Sequence, residues 1–314
     1  MEEYINTQHR YYTLDYYLKK RFNSKVFKVA LNGNFTCPNR DGTISTTGCI
    51  FCSKEGSGEF GGKRNNPLEK QFEEVKNIIS LKWKDAKYIA YFQANTNTYG
   101  PIEKLRKIYY EAINLNKDIV AISIATRPDC LSEEVLNLLE EINKIKPVWI
   151  ELGLQTTNEE TALLINRGYK LNVFDEVVKS LRKRNIETIV HIINGLPYET
   201  KNDMLNTINH LNNLDIQGIK IHSLFILKNT PLEKLYNEKK FHVLTLDEYT
   251  DIVSSQIASL RSDIVIHRIN GDAPKDDLVE PTWSLKKLVV MNEIDKKLKT
   301  NNLYQGINYK KNLL

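Results

Sequence analysis

The sequence predicts an α/β fold, a partial (β/α)6 barrel, and two observations carry that prediction. Between Lys25 and about Phe225, six short β-branched or aromatic runs alternate with amphipathic helical stretches. Strands that alternate with helices form parallel βαβ units, and nearly continuous apolar strands indicate a sheet covered on both faces. The number and spacing of these units favour an open barrel, with a doubly wound sheet as the competing topology.

The boundaries of the predicted elements follow from the same pattern. Strands are expected at Val26–Leu31, Tyr88–Phe92, Ile119–Ile124, Val148–Leu154, Thr188–Ile193 and Ile219–Leu224. Helices are expected at Pro67–Leu81, Ile102–Asn114, Ser132–Ile142, Asn158–Leu164, Val173–Arg184 and Lys201–Leu214. Ser132 and Asn158 each precede two glutamates, which is typical of a helix start. The active site is expected at the carboxyl ends of the strands.

Three segments organise the chain. Residues 1–24 are expected to form an N-terminal extension, and residues 25–230 the barrel core. The pattern weakens after Pro231, so residues 231–314 are predicted to be a small α-rich C-terminal extension with a basic tail. Two helices, at about 245–260 and 284–299, and a short strand, Val265–Arg268, are expected there.

Composition excludes several classes of protein. The chain has 314 residues, of which 41% are hydrophobic and 26% charged, as in ordinary globular proteins and unlike disordered ones. No apolar run is long enough to span a bilayer, and the N-terminus has no apolar signal region. Four cysteines do not make a disulfide scaffold in a chain of this length. We therefore expect a cytoplasmic protein with no membrane partner.

The net charge of +5 is concentrated near the C-terminus. Residues 286–314 contain seven lysines against two acidic residues, which equals the charge of the whole chain. A basic segment of this kind is typical of a surface that binds a polyanion, and it is equally typical of a solvated lysine-rich helix.

Cys37, Cys49 and Cys52 lie in one loop directly after the first predicted strand, with the spacing C-x11-C-x2-C. Structural zinc sites usually need four protein ligands, and Cys130 is remote in sequence. Three thiolates leave one coordination position open, which suits a [4Fe–4S] cluster whose fourth iron binds another molecule. On spacing alone, an iron–sulfur cluster is favoured and zinc remains the alternative.

The run from Cys49 to Cys52 includes the aromatic Phe51 and resembles the signature of the radical S-adenosylmethionine (SAM) superfamily. The resemblance implies a partial (β/α)6 barrel in which SAM chelates the unique iron of a [4Fe–4S] cluster and Phe51 lies near the adenine. The first gap between the cysteines is longer than the common three residues, as in some branches of the superfamily.

Other strand ends carry matching motifs. The segment from Gln93 to Thr98 occupies the place of the superfamily's Gly-Gly-Glu motif, which implies that backbone groups of Ala94, Asn95 and Thr96 bind the SAM amino group. The motifs around Gln155 and Arg167 resemble elements in which these residue types contact SAM. His191 stands where an acidic residue often contacts the ribose, so the resemblance implies a SAM contact there too.

The resemblance extends to a particular group within the superfamily. The segments Arg268–Pro274 and Pro281–Ser284 are similar to those of the YhcC/YtqA group, and Thr126–Asp129 resembles a motif of the elongator catalytic-subunit branch, to which that group is related. This implies a tRNA partner and conversion of 5-carboxymethylaminomethyluridine to 5-aminomethyluridine at the wobble position, with a one-electron donor such as flavodoxin or ferredoxin. Two alternatives remain open: a radical SAM enzyme for a small molecule or peptide, and a zinc-loop RNA-binding module without redox chemistry.

Cys130, the fourth cysteine, follows Asp129 at the end of the third predicted strand. It is a candidate catalytic hydrogen-donor thiol, and a lone cysteine is also commonly a small, partly buried hydrophobic residue.

Overall fold

A curled sheet of seven parallel strands forms the centre of the protein. The computed structural model describes residues 9–56 and 58–309. Six strands pair in chain order: β1 (Val26–Leu31), β2 (Lys87–Phe92), β3 (Ile119–Thr126), β4 (Val148–Gln155), β5 (Glu187–Asn194) and β6 (Gly218–Ser223). The predicted fold class is confirmed, and each predicted strand boundary lies within two residues of the observed one.

The outer face of the sheet is covered by helices that connect consecutive strands. They are α2 (Leu68–Ser80), α3 (Ile102–Asn114), α4 (Glu133–Asn143), α5 (Glu159–Leu164), α6 (Leu171–Lys183) and α7 (Lys201–Leu211), and α1 (Leu14–Phe22) precedes β1. Ser132 and Asn158 cap α4 and α5 with their side chains, as predicted. No helix in the described residues is long and apolar enough to cross a membrane.

The seventh strand comes from the segment predicted as the C-terminal extension. After β7 (Ile226–Leu227), α8 (Pro231–Asn237) and α9 (Leu246–Ser259), the chain forms β8 (Val265–Arg268), which pairs parallel with β6. The sheet therefore has seven strands, one more than the six predicted for the barrel. The strand itself was predicted, but its four residues carry no sequence signal for the neighbour with which they pair.

The remaining elements surround the end of the sheet. A short strand, β9 (Leu278–Glu280), pairs antiparallel with β7, and α10 (Lys287–Thr300) packs on α9, which packs on α7. Neither β7, β9 nor α8 was predicted: the two strands have only two and three residues, and α8 is a single short helix of seven residues outside the repeating pattern. Lys310 and Lys311 of the basic segment lie outside the described residues.

The amino end of the half-barrel is closed by α1. Leu18 packs into a cluster with inward-facing residues from the starts of the strands, among them Ile89, Trp149 and Ile189. Tyr17 contacts Trp149 and hydrogen-bonds Glu187 at 3.1 Å. Tyr17 is therefore docked on the barrel at this end, and the cavity that holds the three loop cysteines lies toward the carboxyl ends of the strands.

Candidate active site

One cavity of about 280 Å³ at the carboxyl edge of the sheet brings most of the predicted site residues together. Its lining includes the three loop cysteines and residues from the ends of β2 to β6 and β8. Of the predicted residues, the ones that line it are Cys37, Cys49, Phe51, Cys52, Asn95, Thr96, Gln155, Arg167 and His191. This cavity thus lies at the edge of the sheet where the strand-end rule for α/β folds predicts a site.

The cysteine loop is held in shape by a buried asparagine and by neighbouring loops. Asn39 is fully buried, and its amide donates to the Asn166 carbonyl at 2.6 Å and to the Cys49 sulfur at 3.6 Å. The backbone of Ile50 donates to the Ile165 carbonyl at 3.1 Å. These bonds fasten the loop to the turn after α5, so the thiols are held by contacts far away in sequence.

The three thiols are half-buried, and Arg40, Arg127 and Arg167 line the same cavity. A hydrogen bond with Cys52, together with the charge of Arg127 and the amide of Asn39, lowers the pKa of the Cys49 thiol despite its burial. Among the described residues, no three His, Cys, Asp or Glu side chains converge closely enough to share one metal ion. A [4Fe–4S] cluster takes each thiolate on a different iron, so it does not require such convergence.

The loop after β2 lies against the glycine-rich continuation of the cysteine loop. Asn95 has a left-handed backbone, and its N–H donates to the Gly56 carbonyl at 2.9 Å. Gly56 is itself left-handed, and a β-carbon there would overlap the Asn95 carboxamide. Ala94 is buried beneath Gly58, whereas Asn95 and Thr96 line the cavity. The glycines therefore permit close contact between two site loops.

Gln155 ends β4 in a left-handed conformation, with a φ of 64° beside a β-bulge. A non-glycine residue in this region is uncommon and strained, and such strain occurs often at functional sites. Tyr169 donates to the Gln155 side-chain oxygen at 3.3 Å, and a β-carbon at Gly153 would lie 2.6 Å from the Gln155 amide nitrogen. The bulge and the glycine together present the Gln155 carboxamide to the cavity.

Arg167 lines the same cavity but is only 1% exposed. Its guanidinium donates to the carbonyls of Leu154, Thr156 and Tyr169 and pairs with Glu159 at 3.1 Å. Most of its donors are therefore engaged in holding the β4–α5 loop.

A buried ionic network that the sequence analysis missed occupies the inner face of the sheet. The Glu151 carboxylate accepts from Lys28 at 2.5 Å, Ser123 at 2.6 Å and His191 at 2.7 Å, and it also pairs with Lys220. The lysines hold the pKa of Glu151 well below its usual value against the opposing effect of burial. The available sequence signal was one charged residue within each of three largely apolar strands, namely Lys28, Glu151 and Lys220.

His191 and His222 stand side by side on adjacent strands, with ring centroids 5.2 Å apart. Burial and the charge of Lys220 lower the pKa of His191 to about 4, so the ring is neutral at physiological pH. His191, predicted as a SAM contact, donates from Nε2 to the Glu151 carboxylate. It therefore belongs to the ionic network as well as to the cavity wall.

Cys130 lies apart from the other three cysteines. It lines a separate groove with Thr98, Asp129 and Pro128, and burial raises the pKa of its thiol to about 12. Cys130 is not among the described residues that line the cavity of the other three cysteines. The hydrogen-donor role of Cys130 stays a prediction.

Some of the lysines in the predicted basic segment, residues 286–314, form ion pairs. Lys287 pairs with Asp272 at 2.8 Å, and Asp272 lines the cavity. Lys297 pairs with Asp247 at 2.7 Å on α9. Lys286 and Lys299 are exposed. The segment thus begins beside the mouth of the cavity and continues along the outer face of α10.

Sequence comparison now assigns the family. The model of the radical SAM superfamily matches residues 39–211, and the model of the radical SAM C-terminal domain matches residues 216–300. The chain belongs to the radical SAM superfamily. The cofactors of this family are SAM and a [4Fe–4S] cluster, and the alternative of a zinc-loop module without redox chemistry is wrong.

Two curated relatives match over nearly their whole length. The chain is 49% identical over 303 residues to the uncharacterized protein YtqA of Bacillus subtilis, covering 96% of this chain and 94% of YtqA. It is 33% identical over 282 residues to YhcC of Escherichia coli, covering 90% of each. The predicted YhcC/YtqA group is confirmed.

More distant matches lie in the elongator branch. The structure of Elp3 from Methanocaldococcus infernus is similar with a TM-score of 0.66 and 17% identity, covering 90% of this chain and 64% of that one. A tRNA uridine(34) acetyltransferase of the same organism is 24% identical over 57% of this chain and 34% of its own length. At 17% identity, the structural similarity to Elp3 shows that the two proteins share a fold.

We predict that Gly56→Ala weakens SAM binding. The added β-carbon would strain a left-handed backbone and push the Asn95 side chain away, at a cost of about 1–2 kcal/mol, or roughly a tenfold loss of affinity. Equilibrium binding of SAM to the anaerobically reconstituted protein measures this. Gly100→Ala is the matched control, because its β-carbon would make ordinary 3.6 Å contacts with Phe35. Equal affinities in the two variants would contradict the proposed packing.

We also predict that Glu151→Gln destabilises the fold by about 3 kcal/mol, because two buried ammonium groups lose their shared carboxylate. Urea unfolding followed by circular dichroism measures the change in the free energy of unfolding. The control is Glu141→Gln, an exposed carboxylate paired with Arg106 at 2.7 Å, which should change little. A Glu151 variant as stable as this control would show that the network contributes nothing to folding.

Proposed function

We propose that this protein is a radical SAM enzyme that modifies the wobble uridine of tRNA, converting 5-carboxymethylaminomethyluridine to 5-aminomethyluridine. The observation that carries the proposal is the convergence, in one cavity at the carboxyl edge of the half-barrel, of a three-cysteine loop and residues from six further strands, β2 to β6 and β8. Such a cavity offers a metal-cluster end and a substrate end within reach of each other.

Cys37, Cys49 and Cys52 are the proposed ligands of the [4Fe–4S] cluster. The lowered pKa of Cys49 supports this assignment, since the thiolate is the form that binds iron. Phe51 packs with Ile165 and Leu196 at the edge of an apolar cluster, a position that suits contact with the adenine of SAM. When bound, the reduced cluster and SAM supply a 5′-deoxyadenosyl radical that abstracts hydrogen from the substrate.

The other cavity residues are proposed to hold SAM in place. Asn95 and Thr96 offer backbone and side-chain groups from the loop after β2, and Gln155 offers a carboxamide held in a strained, outward conformation. Ala94 shapes this loop from beneath. Arg167 is proposed as a positioning residue, because it holds the β4–α5 loop through backbone carbonyls. Orientation of the reacting atoms at fixed distance is the protein's main contribution to such chemistry.

The assignment of tRNA as the substrate has two supports. The similarity to a tRNA uridine(34) acetyltransferase indicates an evolutionary relation to enzymes of the wobble position. The exposed lysines of the segment that begins beside the cavity mouth could pair with RNA phosphates, which would make affinity salt-dependent. A small one-electron donor protein such as flavodoxin or ferredoxin completes the proposed set of partners.

We expect Cys49→Ala to abolish both the cluster absorbance and 5′-deoxyadenosine formation, because two remaining thiolates cannot hold the cluster in its site. Anaerobic reconstitution followed by visible spectroscopy and chromatography of the nucleoside product measures both. Cys130→Ala serves as the control and should retain both signals. Continued 5′-deoxyadenosine production by the Cys49 variant would refute the cluster assignment.

We expect tRNA from a strain that lacks this protein to accumulate 5-carboxymethylaminomethyluridine at the wobble position. Nucleoside mass spectrometry of total tRNA measures the modification, and a plasmid copy of the gene should restore it whereas the Cys49→Ala copy should not. Unchanged wobble uridines would remove the tRNA assignment and favour a small-molecule or peptide substrate for the same radical chemistry.

A further inference from the structure

The inner face of the half-barrel carries more positive than negative charge. Lys28 and Lys220 each reach a different oxygen of Glu151, so two ammonium groups share one carboxylate. Arg268 is the register partner of Lys220 on β8 and lines the same cavity. Its counterion, Asp272 at 3.2 Å, is shared with Lys287. These side chains therefore include four cationic groups but only two carboxylates.

Excess buried charge is costly unless something compensates for it. Lys220 is 5% exposed and Glu151 is 1% exposed. The groups that face the Lys220 ammonium come from five other strands of the half-barrel: Lys28, Tyr91, Glu151, His191 and Arg268. Burial and the charges of Lys28 and Arg268 outweigh the attraction of Glu151 and lower the pKa of Lys220 to about 7. An anion bound beside Lys220 would therefore stabilise its ammonium form.

Donors remain available on the wall that faces the cavity. An ammonium group has three N–H bonds, and the hydrogen bonds of Lys220 go to Glu151 and, at 3.2 Å, to the Tyr91 hydroxyl. His222 lies two residues further along β6, and its buried Nε2 has no hydrogen-bond partner within the described part of the chain. Lys220, His222 and Arg268 therefore present two cationic groups and one unpaired imidazole nitrogen to a single cavity.

We propose that Lys220, His222 and Arg268 form a subsite for a carboxylate group of the substrate. Lys220 is the third residue of the six-residue strand β6 and lies on the inner face of the sheet, below the carboxyl edge. A ligand group that reaches it from the cavity mouth must therefore be narrow and must stand at the end of a side chain. A phosphate within a polynucleotide backbone cannot enter that far. The subsite rests on the proposed function for the identity of its ligand, because the carboxymethyl group of the proposed nucleoside supplies such a carboxylate.

The subsite also gives a physical reason for product release. The substrate's carboxylate stabilises the charged form of Lys220 and is stabilised by it in return. The 5-aminomethyl product has no carboxylate and carries an amine in its place. Its binding would add a cation to a wall that already has an excess of them, so the product should bind more weakly than the substrate.

The charge of the subsite can be tested without knowledge of the substrate. Reductive methylation by formaldehyde proceeds through the neutral amine, and peptide mass spectrometry quantifies it at Lys220 and at the exposed Lys179 of the SAM-bound holoenzyme. Sodium acetate should slow labelling of Lys220 severalfold relative to acetamide at equal ionic strength, and it should not affect Lys179. Equal labelling of Lys220 in acetate and acetamide overturns the proposal.

The identity of the ligand is tested with a matched pair of nucleosides, 5-carboxymethylaminomethyluridine and its amide 5-carbamoylmethylaminomethyluridine. The wild-type holoenzyme should bind the acid at least tenfold more tightly, Lys220→Met should lose that preference, and Lys179→Met should keep it. Protection by acetate without binding of either nucleoside would support the subsite and count against the uridine assignment. If Lys220→Met instead weakens SAM binding and retains the nucleoside preference, the carboxylate belongs to SAM and the proposal fails.

Discussion

The Glu151 carboxylate is the interaction on which the inner face of the half-barrel depends. It is almost fully buried, and it receives hydrogen bonds from residues on β1, β3, β5 and β6. Without it, two lysines from opposite sides of the cavity would face each other across a low-dielectric interior. The carboxylate thus allows polar side chains to line the barrel beneath the proposed SAM site while the outer face of the same strands remains apolar.

The carboxyl edge is built by close contacts between loops that are distant in sequence. The cysteine loop is fastened to the turn after α5 through Asn39, and its glycine-rich continuation lies against Asn95. Gln155 is held in a left-handed conformation by its bulge, with Gly153 beneath it. Each proposed cofactor contact is therefore positioned by a partner in another loop, which explains why glycine and asparagine are so frequent at this edge.

Much of the site could be predicted from sequence because α/β sheets collect their strand ends at one edge. The cysteine spacing, the aromatic Phe51 and the strand-end motifs all led to residues that line one cavity. Cys130 also follows a strand end, but it lines a different groove, so a strand-end position alone does not place a residue in this cavity. Arg167 was located correctly, but its contacts with backbone carbonyls depend on how the following loop folds back, and the sequence carries no record of that.

The sequence by itself determined the alternation of strands and helices, the cysteine loop and the family, because these depend on local periodicity and spacing. Only the tertiary structure decided that β8 joins the sheet beside β6, and that Glu151, Lys28, Lys220 and His191 form one network. Strand pairing and burial are properties of residues brought together from distant parts of the chain. A lysine or glutamate within a strand has the same local pattern whether it faces solvent or a partner across the barrel.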